Sequence, residues 1–381
     1  MSNNNGVDSF EDIRPYHDDE VQAVLYRLVH NPEFIALISR YEFPRLSRWL
    51  GPLMRLVVKG QLKKRLCPIK DVAAFQIQIR DLFTKSLGRT TDGVSWSGVD
   101  ALAKDKPYLF VSNHRDIALD PALVNWVCHQ AGMQTARIGI GDNLLKKPFV
   151  TDLMRLNKSF IVKRSAKGVR ELAAAMNVLS SYIDHSIQTG HSIWIAQREG
   201  RAKDGNDQTD PALLKMFFLS HRKTRSFAEM VDRLNIVPVA ISYEFDPCDK
   251  LKAKELATLA REGCYNKGPL EDLKAMGLGF TGFKGRVHVA FGEPIKGEGM
   301  DGPDTLAAAI DAQIHHSYKL FESNLSAAGE GDLSWFDERT RELDEKEKAF
   351  VKAAYARPVE NARKAGWVAR LLPWRGLVAC G

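Results

Sequence analysis

The chain has 381 residues, 44% of them hydrophobic and 27% charged, the balance of an ordinary soluble globular protein long enough to bury a large core. A formal charge of +7 and an isoelectric point near 9.0 favour anionic partners, such as phosphate esters or an acidic membrane surface. They do not make it a nucleic-acid binder, because the basic residues do not alternate with stacking aromatics and no DNA- or RNA-binding fingerprint is present. Five cysteines (Cys67, Cys128, Cys248, Cys264 and Cys380) are scattered and odd in number, and none stand in C-x-x-C spacing. That pattern predicts a reducing compartment and no structural zinc. The histidines are dispersed, and neither a metal nor a cofactor is expected. The N-terminus lacks a basic region followed by an apolar run, and no stretch of ~18 uninterrupted apolar residues occurs. The expectation is a cytoplasmic protein, peripheral on the inner face of a membrane.

Residues 1–18 read as a polar tail. From Asp19 to Arg40, Val21, Val24, Leu25 and Leu28, then Phe34, Leu37 and Ile38, recur at helical spacing on either side of Asn31-Pro32, which predicts two short helices. Residues 41–70 interleave Phe43, Leu46, Trp49, Leu50, Leu53, Met54, Leu56, Val57 and Val58 with Arg45, Arg48, Arg55, Lys59, Lys63, Lys64, Arg65 and Lys70. Two readings stay open for this basic amphipathic segment. It is either a helix lying in an anionic bilayer interface or a core helix with a solvated basic back. A further helix over Val72–Leu87 carries Phe75, Ile79, Leu82 and Phe83 on one side.

From Trp96 the pattern alternates. Strands are predicted at Tyr108–Ser112, Thr135–Ile140, Ser159–Val162, Ser192–Gln197, Ile236–Tyr243 and Arg286–Phe291. Helices are predicted at Pro121–Ala131, Leu144–Leu156, Gly168–Gln188, Pro211–His221 and Ser226–Leu234. The fold class is therefore α/β: a mixed sheet flanked by helices over residues 96–297, with helical regions at 19–95 and 298–381. The last of these closes on Trp367, Arg370, Leu371, Leu372, Trp374 and Arg375.

The stretch Val111-Ser112-Asn113-His114-Arg115-Asp116-Ile117-Ala118-Leu119-Asp120-Pro121 leaves a strand and enters a helix, with Asp120 as a suitable N-cap before Pro121. A histidine there, with a carboxylate on its far ring nitrogen, is placed to act as a general base. His114-Arg115-Asp116 also reads as a kinase catalytic loop. That loop needs an Asn where Pro121 stands, and no Gly-rich loop, V-A-I-K strand or D-F-G accompanies it. Three more stretches follow in order. Phe160-Ile161-Val162-Lys163-Arg164 ends a strand in basic residues. Gln197-Arg198-Glu199-Gly200-Arg201 ends another. Ile236-Val237-Pro238-Val239 is an apolar strand broken by proline.

This series resembles the glycerolipid acyltransferases that act on glycerol-3-phosphate and 1-acyl-glycerol-3-phosphate, over roughly Trp96 to Pro294. The family's first motif is N-H-x4-D. Here His114 matches, and Asp120 lies one residue further away, so Asp116 is a rival partner. The family's third motif, F-P-E-G-T-R-S, matches at Glu199-Gly200, with Gln197-Arg198 in place of Phe-Pro and Arg201 one position early. The resemblance implies His114 as general base oriented by Asp120 or Asp116, and Asn113, Arg164, Glu199, Gly200 and Arg201 as substrate-binding residues. It implies acyl-CoA or acyl carrier protein as donor and a lysophospholipid or glycerol phosphate as acceptor. A non-catalytic lipid-binding protein on a degenerate domain is the alternative. A serine hydrolase is not expected, since G-x-S-x-G is absent.

Overall fold

The structure, a computed structural model, describes residues 10–165, 168–268 and 270–366. The C-terminal apolar and basic stretch from Trp367 to Arg375 lies outside the described residues, as does Cys380. In chain order the helices are α1 (Val21–His30), α2 (Pro32–Glu42), α3 (Leu46–Trp49), α4 (Gly51–Leu66), α5 (Val72–Thr90), α6 (Leu119–Gln130), α7 (Pro148–Leu156) and α8 (Val169–Gln188). They continue as α9 (Pro211–Phe217), α10 (Phe227–Leu234), α11 (Asp249–Glu262), α12 (Glu271–Thr281), α13 (Pro303–His316), α14 (Glu322–Ala327), α15 (Ser334–Thr340) and α16 (Glu345–Lys364). The strands are β1 (Val94–Ser97), β2 (Leu109–Ser112), β3 (Arg137–Gly141), β4 (Ser159–Val162), β5 (Ile193–Ala196), β6 (Ile236–Tyr243) and β7 (Val287–Phe291). Two compact units form, and neither is one run of sequence. The smaller joins the chain up to Leu82 with Arg137–Ala175, and the larger joins Phe83–Ala136 with the chain from Met176 onward.

In the smaller unit, α1 and α2 break where Asn31-Pro32 requires it. The Asn31 side chain accepts from Phe34 N, and Pro32 opens α2 without needing its missing N–H. Val21, Val24, Leu25, Leu28 and Phe34 pack with Phe75, Phe149 and Leu156 in one core. β3 and β4 pair in parallel. Residues 10–18 are not a free tail. Ile13 is buried and its carbonyl accepts from Ile161 N, while Arg155 Nε donates to Arg14 O at 2.8 Å. Polar composition concealed these anchors because, the Ile13 side chain apart, they run through main-chain carbonyls.

Helices α3 and α4 bear on the core-helix reading of residues 41–70. Val58 is buried, but Leu46, Leu50, Leu53, Leu56 and Val57 are exposed, and Trp49 is 85% exposed. The core-helix reading does not hold for these side chains. On α5, Phe75 and Phe83 are buried as the spacing predicts, whereas Leu82 is exposed. No helix among the described residues is long and apolar enough to cross a membrane.

The larger unit is built on β1, β7, β6, β2 and β5. β2 runs parallel to both β5 and β6, β1 runs parallel to β7, and β6 meets β7 antiparallel, so the sheet is mixed. Every residue of β2 and β6 is buried, which is why both read as continuous apolar runs. Strand β1 was not expected. It is four residues long between Gly93 and Gly98, and Ser95 and Ser97 interrupt the apolar run by which β2 and β5 are read. Gly98 has φ +78°, and a Cβ there would fall 1.9 Å from the carbonyl oxygen of Phe291, so the turn closing β1 onto β7 tolerates only glycine. The C-terminal helices belong to this unit. α13 packs on β6 and α9, and α16 packs on α11 and α14 around Ala253, Phe336, Val351 and Tyr355.

His288 on β7 gives the unit a pH dependence. Its ring lies between the hydroxyls of Ser95 (2.7 Å from Nδ1) and Ser97 (3.1 Å from Nε2). Burial first, and nearby Lys319 second, push its pKa down to about 4. The unfolded chain therefore binds a proton that the folded chain refuses. Stability is complete above pH ~6.5 and falls as pH drops toward 4, by up to about 3 kcal/mol. His288→Gln is expected to lose less stability than wild type between pH 7 and pH 4.5 in urea melts. Equal losses would show that another group governs the acid limb.

Candidate active site

β2, β5 and β6 run parallel, so their C-terminal ends open on one edge, where ligands bind in α/β sheets. His114 follows the end of β2. Its carbonyl accepts from Ala202 N at 2.8 Å, which ties it to the loop after β5, and its ring meets Trp194 of β5 edge-on. The side chain is mostly buried, and Nδ1 lies 2.9 Å from Asp120 Oδ2. With a carboxylate at Nδ1, that nitrogen carries the proton and Nε2 is left as the acceptor.

The helix-start duty that sequence assigned to Asp120 falls to Asp116. Asp120 is not the N-cap, because α6 starts at Leu119, with Ala118 in the capping position. Asp116 serves the helix start instead: its Oδ1 accepts from Ala118 N and Leu119 N, both at 2.9 Å. Asp120 sits inside the first turn and points back into the loop. Oδ2 accepts from Arg115 N at 2.6 Å, from Asp116 N at 2.9 Å and from His114, while Oδ1 accepts from Tyr243 OH at 2.8 Å. The additional loop residue is absorbed by the Asp116 turn, leaving Asp120 facing the imidazole. Burial, then the neighbouring Asp120 charge, raises the Asp116 pKa. Asp116 also lies against α12, where a Cβ on Gly279 would come within 2.6 Å of Oδ2.

Asn113 does not line a substrate surface. It is fully buried, donates to Asp207 Oδ2 and Ile241 O, and accepts from Ile241 N, so its amide is spent joining the end of β2 to β6. Arg115, which sequence treated only as part of the false kinase motif, donates through Nε (3.2 Å) and Nη2 (2.8 Å) to Asp207 Oδ2. Tyr318, just beyond α13, donates to the same oxygen. Although burial opposes the charge, Asp207 holds the Arg115 pKa above its ordinary value. Lys252 of α11 donates to the Arg115 carbonyl at 2.6 Å and pairs with Asp246. Asp207, Tyr243, Lys252 and Tyr318 carry no motif, and sequence reasoning missed all four.

Glu199 and Gly200 lie exposed in the loop after β5. Gly200 has φ +72° and nothing within 4 Å of where a Cβ would stand, so the turn conformation, not crowding by this chain, accounts for the glycine. Arg201 is half-buried, and its Nη1 has no partner among the described residues. Gln197 is fully buried, with neither end of its amide paired among the described residues. Arg164 belongs to the smaller unit, after β4. Its backbone N donates to Asp142 Oδ1 at 3.1 Å, and its side chain runs beside Gly141.

Residues 93–242 match the family model described as Acyltransferase. Over that stretch the chain is similar to an acyltransferase domain. Among solved structures, the 1-acyl-sn-glycerophosphate (LPA) acyltransferase PlsC from Thermotoga maritima is similar at 13% identity, over 77% of this chain and 91% of that chain. Its TM-score is 0.37, too loose an overlap to transfer any residue. No curated protein matches the chain in sequence.

Asp207 is a joint that a single substitution tests. Asp207→Ala strips the buried Arg115 guanidinium of its carboxylate, a loss of about 3–5 kcal/mol for a buried pair. A denaturant midpoint within about 1 kcal/mol of wild type would contradict that account.

Proposed function

We propose that the protein moves a fatty acyl group from an acyl thioester, acyl-CoA or acyl carrier protein, to the hydroxyl of a lysophospholipid or glycerol phosphate, with 1-acyl-sn-glycerol-3-phosphate the foremost acceptor. The observation carrying this reading is the His114 ring held through Nδ1 by buried Asp120, leaving Nε2 for a substrate hydroxyl. Nε2 takes the hydroxyl proton as the oxygen attacks the thioester carbonyl. A C–O bond forms, the C–S bond breaks, and the proton passes to the departing thiolate. Asp120 stabilises the imidazolium formed in between. Arg201, with one guanidinium nitrogen unpaired among the described residues, is the cation proposed for the acceptor phosphate. Glu199 and Gly200 are proposed to border the acceptor.

The exposed apolar residues of α3 and α4, with Arg45, Arg48, Lys63 and Lys64 exposed among them, support an anionic bilayer as the surface on which the acceptor is met. No metal or cofactor enters the proposed reaction.

His114→Ala is expected to lower transfer of radiolabelled acyl groups by at least about 10²–10⁴-fold in a protein that still unfolds cooperatively in a thermal melt, at a lower temperature because Asp120 loses a donor. Activity within a few-fold of wild type would end the assignment. Free fatty acid as the product would mark a hydrolase, and no product with any acceptor would mark a lipid-binding protein. Charge reversal at Arg45, Arg48, Lys63 and Lys64 is expected to release the protein from anionic vesicles, at roughly 1 kcal/mol per residue. Unchanged co-sedimentation would remove the membrane from the proposal.

A further inference from the structure

Tyr243 ends β6 one residue beyond the matched stretch, which closes at 242. We propose that Tyr243 is a positioning residue for acyl transfer, holding the Asp120 carboxylate in the orientation and charge state that His114 requires. The inference rests on the reading of His114 as base.

Asp120 is wholly buried, so its charge is sustained by donors in place of water. Oδ2 has three of them, from His114, Arg115 N and Asp116 N, and Oδ1 takes its hydrogen bond from Tyr243. Without the phenol, Oδ1 would face a desolvated interior beside a second carboxylate. The carboxylate would then turn about its last torsion or take up a proton. Tyr243 is suited to the task by place as well as chemistry. It stands on a fully buried strand that pairs with β2 on one side and β7 on the other, so its oxygen is fixed by the sheet that presents His114. Burial, followed by the charges of Asp120 and Asp116, holds its pKa well above 10, and it stays a donor throughout the working pH range.

The charged groups around this pair are few. Asp116 and Asp246 face Tyr243, Lys252 and Arg115 face Asp246, and Cys248 and Lys284 face Asp116. Burial moves the last two toward neutrality, Cys248 up to about 12 and Lys284 down to about 8. Asp116 is committed to the start of α6, and Lys252 to Asp246 and the Arg115 carbonyl. None replaces the phenol as a donor to Oδ1.

The test compares wild type, Tyr243→Phe and His114→Ala with acyl-CoA and 1-acyl-glycerol-3-phosphate, reading kcat, KM and the pH profile. Tyr243→Phe is expected to lower kcat roughly tenfold with acceptor KM unchanged, the loss of one charge-assisted hydrogen bond. It is also expected to move the acid limb of the profile to higher pH. A carboxylate stripped of a donor is more basic; it protonates earlier and binds the imidazolium more strongly, and both effects act in that direction. A fall in melting temperature with an unmoved acid limb would reduce Tyr243 to a structural residue and overturn the proposal. So would a wild-type profile beside an inactive His114→Ala. A fully active His114→Ala overturns the base assignment itself, and the positioning role with it. If the phenylalanine variant does not fold, 3-fluorotyrosine at position 243 keeps shape and bond while strengthening the donor. It is expected to move the acid limb to lower pH, and an unmoved limb again overturns the proposal.

Discussion

The loop between β2 and α6 is organised by one desolvated carboxylate. Asp120 has no water to neutralise it, so four donors must converge on it: two backbone amides of its own loop, an imidazole and a phenol. That requirement dictates the backbone path. Arg115 N and Asp116 N can both reach Oδ2 only if the chain turns back sharply after His114, and the turn is held by Asp116 bonding two amides at the helix start. The geometry of the histidine is thus a by-product of satisfying a buried charge.

A second buried carboxylate, Asp207, does for the outside of the loop what Asp120 does for the inside. It gathers Asn113, Arg115 and Tyr318 onto one oxygen, and its main-chain carbonyl lies 2.6 Å from His315 Nε2. Through it the helices after residue 300 reach the segment beside His114. α16 contributes by a different route: Tyr355 OH accepts from Asp246 N and donates to Asp249, and Asp246 pairs with Lys252, which grips the Arg115 carbonyl. The C-terminal helices are therefore part of the loop's support, although the sequence presented them as an appendage.

What sequence could read follows from what periodicity and motif can encode. β2, β5, β6 and β7 were legible because buried strands are apolar runs, and the α1–α2 break because Asn-Pro leaves the chain no choice. The pairing of His114 with an aspartate was legible from spacing. Which aspartate faces it was decided by where α6 begins, and that depends on an Asx-type turn spacing does not specify. Asp207, Lys252, Tyr243 and Tyr318 stayed hidden because each acts at a sequence separation above 90 residues from the loop it serves, and a single tyrosine or lysine in an ordinary helix or strand carries no mark of its partner. The exposure of α4 was hidden for another reason: a basic amphipathic pattern is the same whether the apolar stripe is covered or bare.

The register of β6 on β2, Val237 beside Phe110 and Val239 beside Ser112, bears on how the molecule is assembled. Strand β2 gains this neighbour only after more than 120 further residues have been made, and parallel pairing over such a distance is a slow step. Asn113 and Ile241, which bond reciprocally at the end of that pairing, are 128 residues apart in sequence. Until they meet, the histidine loop has a carboxylate without its phenol and a strand without its flank. A nascent chain that has emerged only through α8 cannot yet hold His114, Asp120 and Tyr243 in one arrangement, which waits until synthesis has passed β6.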